Sequence, residues 1–397
     1  MRKACEHEIF LSLALSELHA RKKEELTLKS FPRALQLLQS EDSITGLLTY
    51  ANRIGLFGLI YSAVKRWAEP QLLEELKEKQ AQLDNFRTSH FAMTAFQKQE
   101  LSEILKHFAE KSIDVIVLKG PLLAEAIYGD AFSRATADLD ILVPSERFVE
   151  ARSELLAIGY KESERLDEAL NMDEYHHIVF YKDYSSGFKT AVELHVRIRS
   201  NRFGGVCPSY KDLIEMTEEV STPYKHKRFK VALLYSHFVL EVFKDGGSIK
   251  RLVDLEALRL GLSPKSKDIC AICAELGLSD GLAYCEALLF PIRQQLPDLD
   301  GIGTVALLAR GKKLTKSLPA AKLFGNSNTS LRLLYGYYIL GGRMMALRYL
   351  LWWAIFPPPA VLARRFGMSS SFLIYLLYPF SPFISLLYVL GIWRRTW

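Results

Sequence analysis

The sequence predicts an α+β chain, a small mixed sheet with its own helices flanked on both sides by helical regions. Three observations carry that reading. Residues 1–110 repeat apolar side chains at three- and four-residue spacing with few Pro or Gly. Between 113 and 197 the pattern changes to short, β-branched apolar runs separated by turn residues. From 208 to 295 helical spacing returns. The expected division is an N-terminal helical region 1–95, an α/β core 96–205, a helical domain 206–325, and a basic, aromatic and apolar helical tail 326–397.

Each element has its own signal. Ile9, Leu13, Leu15 and Leu18 mark an amphipathic helix, as do Leu101, Ile104, Leu105 and Phe108. The run 113–118, IDVIVL, reads as a buried strand broken by Lys119-Gly120-Pro121. Pro121 suits the first turn of a helix over Leu122–Tyr128. The polar loop GDAFSRATA leads into a second strand, Asp138–Val143, which Pro144 ends. Ser145 is expected to cap a helix over Glu146–Ile158, and Gly159 to stop it. Strands at His176–Tyr181 and Thr190–Arg197 follow, joined through Ser185-Ser186-Gly187 as a hairpin turn. Further on, Leu233, Leu234, His237, Phe238 and Glu241 repeat at helical spacing.

Composition excludes some classes. Hydrophobic residues make up 49% and charged residues 24%, which excludes a disordered chain. Five scattered cysteines fit a reducing compartment rather than a disulfide framework. Cys270 and Cys273 form a lone CxxC inside a helical pattern and read as small buried residues. No signal peptide is legible at the N-terminus, so a cytoplasmic location is expected. The net charge of +6 hides an asymmetry: residues 301–397 hold twelve Lys or Arg and no Asp or Glu. A tail of this kind, 331–397, has an anionic membrane surface as its expected partner, peripheral on the inner face of the plasma membrane. Phe372–Trp393 is 22 residues without charge, but Pro379 and Pro382 interrupt it, so an interfacial or re-entrant pair is preferred to a span. The competing reading packs these helices onto the catalytic core. There is no specific nucleic-acid motif.

The chemistry centres on Asp138 and Asp140. Two apart on a strand, they share one face while Leu139 and Ile141 point into the core. Adjacent carboxylates repel unless a cation lies between them. Magnesium, which prefers oxygen ligands and keeps several waters, fits such a site. Glu193, in VELHV on another strand, is a candidate third ligand or base. Gly120, between a strand and a helix N-terminus, would let a phosphate approach backbone N–H groups. Lys119 could add a point charge, and Arg134 could bind phosphate. His195 should share Glu193's face and either orient substrate or sit as a structural histidine. His176 and His177 are weaker candidates. His237 and Asp254 could face the site from the helical region, although a structural role is favoured for both.

At these residues a resemblance appears. The stretch VLKGPLLAEAIYGDAFSRATADLDILV, a helix ending in LLAIGY, and VELHV resemble the bacterial uncharacterised nucleotidyltransferase family of the DNA polymerase β-like superfamily. YSHFVLEVF and IKRLVDLEAL resemble that family's helical region, and the likeness covers roughly residues 95–295. The resemblance implies a polymerase β-like core, Mg2+ or Mn2+ held by Asp138, Asp140 and Glu193, and an NTP, expected to be ATP, at Lys119, Gly120 and Arg134. It also implies transfer of a nucleoside monophosphate to an unidentified acceptor hydroxyl with release of pyrophosphate, with Asp140 or Glu193 taking the proton. His237, Arg251 and Asp254 match its helical motif. Pro121 departs from the superfamily, where Ser commonly follows the glycine, and removes a hydroxyl and a backbone donor from the phosphate cradle. The alternative function is a non-catalytic membrane-surface binding or scaffold protein that retains the fold.

Overall fold

Among the described residues, the apolar spacing of the N-terminus builds helices α1 Arg2–Ala20, α2 Glu41–Ile54, α3 Phe57–Trp67 and α4 Gln80–Glu110. They belong to a computed structural model that describes residues 2–21, 41–68, 80–163, 176–185, 187–198, 207–221, 225–244, 248–294 and 305–317, with 338–340, 344, 346, 347, 380 and 383 besides. The elements that follow are β1 Ile116–Val117, α5 Pro121–Tyr128, β2 Asp138–Leu142, α6 Phe148–Ala157, β3 Lys161–Glu162, β4 His177–Asp183 and β5 Lys189–His195. After them come α7 Tyr210–Ile214, β6 Thr217–Val220, β7 His226–Phe229, α8 Val231–Lys244, α9 Ile249–Leu262, α10 Ser266–Glu275, α11 Ser279–Arg293 and α12 Val305–Ser317.

The fold is α+β, built around one seven-stranded mixed sheet in the order β3-β4-β5-β2-β1-β7-β6. β2 runs parallel to β5 and β1 parallel to β7; the other neighbours are antiparallel. Alternation along the strands divides the core into two layers. Leu139, Ile141, Val192 and Leu194 pack against Leu101, Ile104, Leu105 and Phe108 of α4 and Phe148, Ala151 and Leu155 of α6. Ile116, Leu118 and Leu142 turn the other way, into the core built by α1, α3, α5, α8 and α9. The carboxylate-bearing face of β2 and β5 therefore looks toward the helical side.

Three expectations change in detail. The strand read at 113–118 narrows to Ile116–Val117, though its flanks stay bonded: Lys227 N donates to Val115 O at 2.8 Å and Leu118 N to Asp140 O at 2.9 Å. Ser145 is not an α-helix cap. Pro144 is extended and precedes a 3-10 turn over Ser145–Arg147, and α6 begins only at Phe148. Gly159 does end that helix, in the left-handed region at φ 92°, with Gly159 N bonded to Leu156 O at 3.1 Å. Residues 217–229, read as part of a helical region, instead form the β6–β7 hairpin at the sheet's end. Its strands, TEEV and HKRF, are too charged to read as buried. They pair acid against base, with Glu218 opposite Arg228 and Glu219 opposite Lys227.

The N-terminal helices hold the loop that leads into β2. At the turn between α2 and α3, Gly55 has φ 76°, and its carbonyl accepts from Ala135 N at 2.9 Å. A Cβ there would lie 2.9 Å from Ala135 O, so only glycine permits the contact. Gln97 on α4 and Thr136 exchange two bonds, Nε2 to Thr136 O at 3.0 Å and Thr136 Oγ1 to Gln97 Oε1 at 2.7 Å. Among the described residues no helix is long and apolar enough to cross a membrane. Most of the tail, Phe372–Trp393 included except Phe380 and Phe383, lies outside the described residues. Ile339 and Leu340, at the tail's start, are buried in the core, with Leu340 packed over Gly281.

Candidate active site

Parallel pairing of β2 with β5 sets Asp140 directly opposite Glu193 and Leu142 opposite His195. Because side chains alternate, Asp138 joins Asp140, and His195 joins Glu193, on the same face. Sequence reasoning placed these four residues on two strands; only the pairing register makes them neighbours. His195 Nε2 lies 3.2 Å from Asp140 Oδ1 and 3.3 Å from Glu193 Oε2. On β4, His177 stands opposite His195, and its Nε2 lies 3.8 Å from Glu193 Oε2. Asp140 is fully buried, while Glu193 keeps 21% of its side chain exposed.

Lys119 approaches from the end of β1. Its ammonium lies 3.0 Å from Asp140 Oδ1 and 3.1 Å from Glu241 Oε2 on α8, and it is almost wholly buried. The next residue, Gly120, starts α5 at φ 125° and ψ −171°, backbone reserved for glycine. Space is not the constraint, since an added Cβ would meet only Leu139 Cδ2 at 3.7 Å. No side chain caps this helix start.

These placements split the proton affinities of the carboxylates. Burial and the neighbouring Asp140 charge push Asp138 up to about 6. Burial alone would raise Asp140 too, but Lys119 and His195 override it and hold the group well below the usual carboxylate range. Glu193 is also lowered, its burial outweighed by the His195 hydrogen bond. His195 moves the opposite way: burial would lower it, and its bonds to Asp140 and Glu193 raise it. Asp140 Oδ2 is buried with no hydrogen-bond partner among the described residues. Asp140, Glu193 and His195 each offer a ligand atom within 4.8 Å of the others, as do His176, His177 and His195.

From Lys119 a chain of alternating charges runs into the helices. Glu241 Oε2 also accepts from Arg251 at 3.3 Å, and Arg251 donates to Asp254 Oδ2 at 3.1 Å. Arg134 closes the chain, with Nε on Asp254 Oδ1 at 2.7 Å and a second nitrogen on Oδ2 at 3.1 Å. Tyr128 OH donates to the same carboxylate at 2.7 Å, and Lys250 Nζ donates to Ala135 O at 2.6 Å. Burial opposes the charge on Asp254, but Arg134 and Arg251 hold it down to about 2. Arg134 is thus a buried partner of Asp254 rather than a cation pointing into solvent. His237, one turn before Glu241, is buried beside the rings of Phe229 and Phe238, with centroids 5.9 and 6.2 Å away. Sequence reasoning gave Glu241 no role. Its signal was a lone carboxylate in the otherwise apolar helix VALLYSHFVLEVFK. Cys273 lies 3.1 Å from Ser236 Oγ, and burial pushes its thiol up to about 12, so the CxxC behaves as packing.

The arrangement sets two carboxylates and a histidine close enough to share one cation, and leaves Glu193 partly exposed. A family model described as an uncharacterised nucleotidyltransferase matches residues 40–290. A crystal structure described as an antigenic nucleotidyltransferase-like protein from Paracoccidioides brasiliensis is similar at 16% identity with a TM-score of 0.33, over 58% of this chain and 97% of that one. No curated protein matches the chain.

Proposed function

This chain belongs to the uncharacterised nucleotidyltransferase family, and from that premise we propose that it transfers a nucleoside monophosphate from an NTP to an acceptor hydroxyl at Asp138, Asp140 and Glu193. The observation that carries the reading is Glu193 beside Asp140 on adjacent parallel strands, with Asp138 on the same face. Two features of the site fit a divalent ion, Mg2+ or Mn2+. Asp140 Oδ2 is buried without a hydrogen-bond partner among the described residues, and Asp138 is pushed up by its crowded neighbours. Both are relieved by a cation, and an oxygen donor set suits these hard ions. Held by these carboxylates, such ions would lower the pKa of the acceptor hydroxyl and stabilise charge on the leaving pyrophosphate.

The chain's own groups do the rest. The acceptor oxygen bonds to the α-phosphorus, the bond from that phosphorus to the bridging oxygen breaks, and the electron pair leaves with pyrophosphate. Of the two bases considered, Glu193 is the one a hydroxyl can approach. It is partly exposed, whereas Asp140 is fully buried behind Lys119. His195 holds both carboxylates in place through Nε2. Lys119 and Gly120 stand at the start of α5, where the phosphates are proposed to bind. Arg134 positions the loop before β2 through Asp254 rather than touching phosphate.

The test is incubation with each labelled NTP, Mg2+ or Mn2+ and a cell extract, comparing wild type with Glu193→Gln. Label transfer by wild type that survives in Glu193→Gln would remove Glu193 from the chemistry. Label transfer by neither protein would favour the second reading, a membrane-surface scaffold without turnover. The observation behind that reading is the tail's charge, twelve basic residues and no acidic one from 301 onward.

A further inference from the structure

Beyond the carboxylates lies a group of histidines of which the proposed transfer uses only His195. His177 on β4 stands directly opposite His195 on β5, and His176 precedes it. The three rings form a cluster, with centroids 4.4 Å apart for His176 and His177, 4.8 Å for His177 and His195, and 5.5 Å for His176 and His195. One nitrogen of each lies within 4.8 Å of the others. The backbone fixes this placement, since Val196 N donates to His176 O at 2.9 Å just past the end of the ladder.

His195 supplies the decisive detail. Its Nε2 faces two carboxylate oxygens, so that nitrogen carries the hydrogen. In the neutral ring, Nδ1 is then the lone-pair nitrogen, and it is buried with no hydrogen-bond partner among the described residues. A histidine that donates one ring N–H to a carboxylate and leaves the other nitrogen bare has the outer-shell arrangement typical of metal-binding histidines. We propose that His176, His177 and His195 form a second metal site, distinct from the Mg2+ or Mn2+ site, for a divalent transition ion of the zinc class. Imidazole suits zinc, cobalt and nickel, whereas magnesium prefers oxygen. Nitrogens on one such ion stand about 3.4 Å apart, given metal–nitrogen bonds of about 2.1 Å. The rings must therefore draw in by roughly 1 Å through side-chain rotation on binding. Three histidines leave a fourth position open, and Glu193 Oε2 lies 3.8 Å from His177 Nε2.

The test is titration of the full-length protein with Co2+ in saturating Mg2+, following visible absorption. Wild type is expected to give a saturable band that Zn2+ abolishes. In the double variant His176→Ala, His177→Ala the affinity is expected to fall by more than about 100-fold, beyond the loss that outer-shell changes produce. Should that variant fail to fold by circular dichroism, His177→Gln, whose side chain is partly exposed, is expected to weaken the band in the same direction. Asp138→Asn alters only the carboxylate site, so the band is expected to persist there whether or not NTP binding is lost. No band in wild type, an affinity unchanged by the histidine variants, or a band lost with Asp138 would each overturn the histidine site.

Discussion

At Asp138 the fold spends stability on keeping a charge available. Its folded value, about 6, stands above the ordinary carboxylate value of 3.8, so the folded metal-free protein holds that proton more tightly than the unfolded chain. The group's contribution is therefore full below the unfolded value and is lost as pH rises through about 6. Thermal melts in chelator should show the stability of wild type relative to Asp138→Asn falling across that window and level above it. A metal bound at Asp138 would have to displace the same proton, so its stabilising effect is expected to grow with pH over the same range in wild type and not in the variant. Asp254 obeys the reverse sign. Held down to about 2, it contributes stability above its unfolded value that is lost as pH falls toward about 2. Asp254→Ala leaves Arg134 and Arg251 buried without their shared carboxylate, and denaturant melts should record a loss of about 3–5 kcal/mol. The sequence showed the types of these residues but not their partners. Arg134 and Asp254 are 120 positions apart, and a buried ion pair leaves no periodic trace.

The elements were legible in proportion to how apolar they are. β2 and β5 showed through because Leu139, Ile141, Val192 and Leu194 fill a closed layer and force strict alternation around the charged residues. β6 and β7 did not, because a charged hairpin at a sheet's end buries too little to impose a pattern. The same alternation could give Asp138 and Asp140 one face, but not which strand lies beside them. That follows from the parallel register of β2 on β5, which joins segments some fifty residues apart. The β1–α5 junction was legible through Gly120, and its backbone makes that glycine necessary. Gly120→Ala should cost about 1–3 kcal/mol by chemical denaturation from its φ alone, because no neighbour crowds the added methyl group. The loss should appear without substrate present, which separates a backbone effect from one on phosphate binding.

Across the whole molecule, charge is unevenly divided. The first 300 residues carry 39 basic and 45 acidic groups, and everything beyond is positive. The tail's beginning is not separable from the body, because Ile339 and Leu340 complete the core over Gly281. A truncation that tests membrane attachment must therefore fall after them. Cells expressing the full chain and a 1–350 fragment should differ on fractionation at low salt, the full chain sedimenting with membranes and the fragment remaining in the supernatant. A full chain in the supernatant would assign the whole tail to the core. The ammonium of Lys119, held between Asp140 and Glu241, has a consequence for the metal-free protein. A tethered cation cannot diffuse away, so part of the carboxylate charge is offset without any ion from solution. A divalent ion at Asp140 would meet this ammonium as a rival. Under the proposed transfer, phosphates arriving with the ion would shift that balance in its favour.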